Sequence, residues 1–85
     1  MSDLFAEAPL PGWLHAGPSS KVAMVYRLLE AAGSRGVTNA ELADWGRLNF
    51  CTSVMERLRD LRKARPGSVI ATPGKTRGTW HYRLA

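Results

Sequence analysis

Eighty-five residues make one small domain with a limited core. An apolar content of 45% is too high for a wholly disordered chain, and its runs are too short to span a bilayer. A single cysteine, Cys51, excludes an internal disulfide, and one Cys with two distant His supplies neither a nucleophile–base pair nor four close zinc ligands. The net charge of +5 is unevenly placed. Residues 1–20 hold Asp3 and Glu7 without a cation, whereas residues 21–85 hold all twelve Lys and Arg against five acids and carry +7. A compact basic domain suits an anionic partner, which here means DNA, RNA or an acidic protein face.

Residues 1–18 read as a flexible tail and residues 19–85 as the domain. Pro9, Pro11, Gly12, Gly17 and Pro18 prevent regular structure from Ala8 onward, leaving Leu10, Trp13 and Leu14 to tuck against the domain. The opening MSDLFAEAPLPGW has no basic segment followed by a long apolar one, which predicts a cytoplasmic protein.

PSSKVAMVYRLLEAAGSRG predicts a first helix. Ser19 or Ser20 caps it, Val22, Val25, Tyr26, Leu29 and Ala32 share one face, and Gly33 stops it. VTNAELADWGR predicts a second helix, with Thr38 and Glu41 forming a capping box and Gly46 as its end. Val37, just before it, fits a staple or a strand of one or two residues. NFCTSVMERLRDLRKARPG holds a third helix. Ser53 and Glu56 predict a second capping box, with Asn49 as the alternative cap of a longer helix, Val54, Leu58 and Leu61 face the core, and Arg65-Pro66-Gly67 breaks the helix. SVIAT and GTWHYRL then read as two strands joined by PGKTRG, with Trp80, Tyr82 and Leu84 alternating inward.

VTNAELADWG, FCTSVMERLRDLRKAR and SVIATPGKTRGTWHYRL, in that order, resemble the first motif helix, recognition helix and wing of the winged helix-turn-helix family. The resemblance covers residues 19–85 and is greatest to small winged-helix proteins of bacteriophages and prophages. RKARPGS departs from it by adding basic residues and a proline between helix and wing. The implied class is α+β, mostly α, with three helices and a C-terminal β-hairpin wing. SDLF at residues 2–5 is also similar to the Leu-Phe end of short bacterial sliding-clamp-binding peptides, without their upstream Gln.

The family's recognition helix enters the major groove by its N-terminus, which here implies Asn49, Thr52, Ser53, Glu56 and Arg57. Asn and Arg read adenine and guanine edges, while Thr52 and Ser53 equally suit helix capping. Arg47, in the turn, suits phosphates. Among Arg59, Arg62, Lys63 and Arg65 some pair locally, as Glu56–Arg59 and Asp60–Lys63, but six cations against two acids between Arg47 and Arg65 leave one or two of the four for phosphates, and Arg59 counts among the expected DNA contacts. Lys75 and Arg77 at the wing tip are implied on the minor groove or adjacent phosphates, with Gly74 and Gly78 allowing close approach.

The expected function is therefore sequence-specific or semi-specific binding of double-stranded DNA by a phage or mobile-element regulator of transcription or replication. The alternative is a protein-interaction module that binds or inhibits a host protein through its basic face. So small a module favours two copies for tight binding, with Met55 and the Trp13 tail as candidate homodimer contacts. Scattered acids, isolated His and Cys and no phosphate loop argue against an enzyme, and no cofactor, metal, small-molecule substrate or membrane is expected.

Overall fold

The computed structural model describes residues 10–17 and 20–85. Ser19, the SDLF segment and the expected boundary after residue 18 lie outside the described residues.

Helix α1 spans Lys21–Ala32. Ser20 caps it in extended conformation, its Oγ accepting the Ala23 N–H at 3.2 Å. Ala23, Val25 and Leu29 are buried, with Val22, Tyr26 and Ala32 packed beside them. A 3-10 turn, Gly33–Arg35, leads through Gly36 into β1, Val37–Thr38.

Helix α2, Asn39–Leu48, starts as the capping box predicts. The Glu41 N–H donates to Thr38 Oγ1 at 3.0 Å, and the Thr38 N–H donates to Glu41 Oε1 at 2.9 Å. That backbone bond, with Arg35 nearby, holds the Glu41 carboxyl below its ordinary range. The stability it adds is present above the usual carboxylate pKa and is lost as pH falls through the depressed one. Thr38→Ala should cost about 1 kcal/mol and lower the melting temperature by roughly 4–8 °C. A thermal melt followed by circular dichroism checks this, and an unchanged melting point would rule out a stabilising cap.

The α2 helix does not end at Gly46 but runs to Leu48, with Gly46 buried inside it. The chain folds back over this glycine, and the Cys51 N–H donates to the Gly46 carbonyl at 2.7 Å. A Cβ at 46 would stand 2.6 Å from the Cys51 carbonyl oxygen. The glycine therefore serves a close crossing, and Asn49 is the cap, its backbone N–H and Nδ2 both donating to the Trp45 carbonyl.

Helix α3 spans Val54–Ala64 and buries Val54, Leu58 and Leu61, the predicted stripe. Its predicted capping box is absent. Ser53 sits at φ −111°, ψ 40°, outside the extended conformation that aims a capping hydroxyl, and makes no side-chain bond to the helix. Glu56 turns instead to Arg57. The helix stops at Ala64, before Arg65-Pro66-Gly67, as expected.

Strands β2, Val69–Pro73, and β3, Trp80–Leu84, form the hairpin. The sheet is antiparallel with order β1-β3-β2, pairing Val37 and Ala71 with Tyr82 from either side. Only part of the expected inward face is buried. Tyr82 is 8% exposed, Leu84 is half-buried and Trp80 is 42% exposed. Trp80 pairs with Pro73 at the tip end of the ladder, whereas Tyr82 sits at its centre, where β1 also joins.

Three helices and a three-stranded sheet thus form an α+β, mostly α, domain in a winged helix-turn-helix layout. Leu14, ahead of α1, is buried with Leu29, Leu42, Leu58, Leu61 and Tyr82. Trp13 meets Tyr26 edge to face at 5.9 Å, and the Arg65 guanidinium lies 5.9 Å from the Trp13 ring centre.

Candidate nucleic-acid interface

At 100° per residue, Met55, Arg59, Arg62 and Lys63 share an arc of about 100° on α3, and Glu56 and Asp60 occupy the adjoining arc, with Glu56 next to Lys63 in projection. The burial of Val54, Leu58 and Leu61 turns both arcs to solvent.

The acids do not pair as their spacing predicts. Arg57 takes both, with its Nη2 3.4 Å from Glu56 Oε2 and its Nε 3.3 Å from Asp60 Oδ2. Arg57 is half-buried at the edge of the core stripe, so its guanidinium is held between the two carboxylates. The expected Glu56–Arg59 and Asp60–Lys63 pairs are therefore replaced. Arg59, Arg62 and Lys63 are exposed and make no ion pair among the described residues. They line one side of a shallow cleft of about 280 Å³, floored by Leu58 and closed by Tyr82 of the wing.

Asn39, the first residue of α2, fixes the wing. Its Nδ2 donates to the Gly78 carbonyl at 3.0 Å, and its Oδ1 accepts the Trp80 N–H at 3.1 Å. The Gly74 N–H donates to the Thr79 carbonyl at 2.7 Å, closing the tip. Lys75 and Arg77 are exposed on that tip without an ion pair among the described residues.

The residues expected at the start of the recognition helix have other surroundings. Arg47 is paired with Asp44. The Asn49 side chain caps α2, and its carbonyl accepts Lys21 Nζ at 3.0 Å. Thr52 and Ser53 are exposed, with no side-chain hydrogen bond among the described residues. Large apolar side chains stand around them: Leu48 is 76% exposed, Phe50 88% and Met55 44%. The structure thus separates two surfaces, a basic flank of α3 facing the wing and a largely apolar tip at the turn.

Arg62 and Lys63 belong with Arg59, and their i+3 and i+4 spacing from it was the available signal. Asn39 carried no local signal, since its partners lie about forty residues away. Phe50 did carry one, an aromatic at a turn position between two helices.

Among the described residues, no three His, Cys, Asp or Glu gather to hold a metal. No helix there is long and apolar enough to cross a membrane. No protein-family model, curated protein or solved structure matches the chain.

Proposed function

We propose that this protein binds double-stranded DNA through the basic flank of α3 and the tip of the wing. In this reading it is a small winged-helix regulator of transcription or replication in a phage or mobile element. The observation that carries the proposal is the division of charge on α3. Arg57 pairs with both acids, so that Arg59, Arg62 and Lys63 make no ion pair among the described residues and stand exposed along one arc of the helix. Three exposed cations on one arc of α3, with two more on the tip of the hairpin, suit a polyanion. The layout supports a helix in the major groove with the wing along the phosphates, and the sequence resemblance supports the phage-type assignment.

The test is fluorescence anisotropy on a labelled duplex of roughly 25 base pairs. Replacing Arg59, Arg62 and Lys63 together by Ala should weaken binding by about a hundredfold at low salt, since each phosphate contact releases counterions. Arg57→Ala, which removes a cation already held by two acids and frees those acids beside the flank, should weaken binding by no more than about tenfold. Equal losses in the two variants would overturn the assignment of the flank. Tight binding to an acidic protein, with none to duplex DNA, would move the function to a host-protein interaction through the same face.

A further inference from the structure

The apolar tip is not absorbed by this reading. Phe50 has φ 55°, the left-handed region that suits Gly, Asn or Asp and disfavours an aromatic residue, and its side chain is 88% exposed. Backbone strain and ring exposure are both unfavourable in the isolated chain, and no ring contact among the described residues compensates them. Beside Phe50 lies an open cleft of about 630 Å³, with Ala43, Gly46, Val54 and Met55 on its apolar wall and Arg47, Thr52, Ser53 and Glu56 at its polar edge. One surface thus carries both an apolar knob and an apolar hollow.

The charge around this surface identifies the occupant. Arg47 is balanced by Asp44, and Arg57 lies between Glu56 and Asp60. With Lys21, held on the Asn49 carbonyl, three cations face three acids and the rim is neutral. A nucleic acid would gain little there. A second copy of a +5 chain, repelled by the basic flank, meets no net repulsion at this rim. Knob and hollow on one patch are also what a twofold interface requires, because each copy offers the same surface to the other.

We infer that the Leu48–Phe50–Met55 surface is a self-association face, on which Phe50 of each copy enters the cleft beside Phe50 of the other. Three apolar side chains and a shallow cleft place the contact at the small end of the interface range. The dimer is accordingly weak, with Kd of about 10–100 µM. It covers Met55 at the edge of the basic flank, leaves Arg62 and Lys63 open, and joins two such flanks in one particle.

Sedimentation equilibrium of the full chain between about 5 and 500 µM, without DNA, tests the face independently of any DNA binding. The wild type should dimerise within that range. Phe50→Asn, which suits the left-handed backbone, should weaken dimerisation at least tenfold while melting no lower than wild type. Leu48→Asn, at a position 76% exposed, should weaken it in the same direction. A wild type monomeric at 500 µM would overturn the inference, as would variants that dimerise as tightly as wild type.

Discussion

Gly36→Ala should destabilise the domain by about 4 kcal/mol, most of the stability expected for a chain this short. Two costs add at this position. Gly36 lies at φ 71°, ψ −172°, a region essentially closed to residues with a Cβ, where the strain is about 1–3 kcal/mol. An added Cβ would also stand 2.5 Å from the Tyr82 carbonyl oxygen and 3.2 Å from the Arg83 Cβ. Neither neighbour is a flexible tip, because both belong to β3, the central strand. Relief must come from moving β1 off β3, which breaks the Val37–Tyr82 pairing beside the core. Overpacking of that kind costs about 1–3 kcal/mol more. A thermal melt should show a fall of more than about 15 °C. A fall of under 5 °C would mean that the link from α1 to β1 yields easily and does not fix the sheet.

Leu42→Ala should cost about 3 kcal/mol. Of the ten residues of α2, only Leu42 and Gly46 are buried. Gly46 contributes a close crossing but no side chain, so Leu42 is the one fully buried side chain of this helix, with Trp45 partly buried beside the core. Leu42 is fully buried in the core cluster with Leu58 and Leu61 of α3, and its truncation leaves a cavity that two short helices fill poorly. The damage should reach beyond stability. Asn39 at the head of α2 holds the wing through Gly78 and Trp80, so a loosened α2 releases the wing tip as well. Hydrogen exchange should therefore accelerate at the Trp80 amide as well as in α2. Unchanged exchange at Trp80 would show that the wing stands without the Asn39 clamp.

The parts of the fold governed by local chemistry were legible in the sequence. The Ser20 cap, the Thr38–Glu41 capping box, the Val54–Leu58–Leu61 stripe and the break before Pro66 each depend on residues within one or two helical turns. The misreadings share a different cause. Gly46 looks like a helix stop, and only the crossing by Cys51 shows why a glycine stands inside α2. Ser53 and Glu56 have capping-box spacing, but the backbone conformation at Ser53 and the pull of Arg57 on Glu56 prevent it. Trp80 has the alternation of a core residue, yet lies at the tip end of the hairpin.

The candidate site divides along the same line. The sequence shows an excess of cations on α3 but not which of them the acids take. Spacing alone assigns Glu56 to Arg59 and Asp60 to Lys63, whereas the burial of Arg57 at the edge of the core stripe brings it to both acids. That exchange turns a dispersed excess of charge into a continuous basic flank. Asn39, which holds the wing, pairs across about forty residues and leaves no trace in local pattern.

The most direct test of the DNA-binding proposal is the salt dependence of binding to a 25-base-pair duplex, measured for the wild type and for the Arg59, Arg62 and Lys63 triple alanine variant. The five exposed cations of flank and wing predict a wild-type slope of log affinity against log salt of about −3 to −5. The triple variant should flatten that slope by about 2–3, and Ala at Lys75 and Arg77 by about 1–2. No binding at low salt, or a slope that the triple variant leaves unchanged, would contradict DNA recognition by this flank.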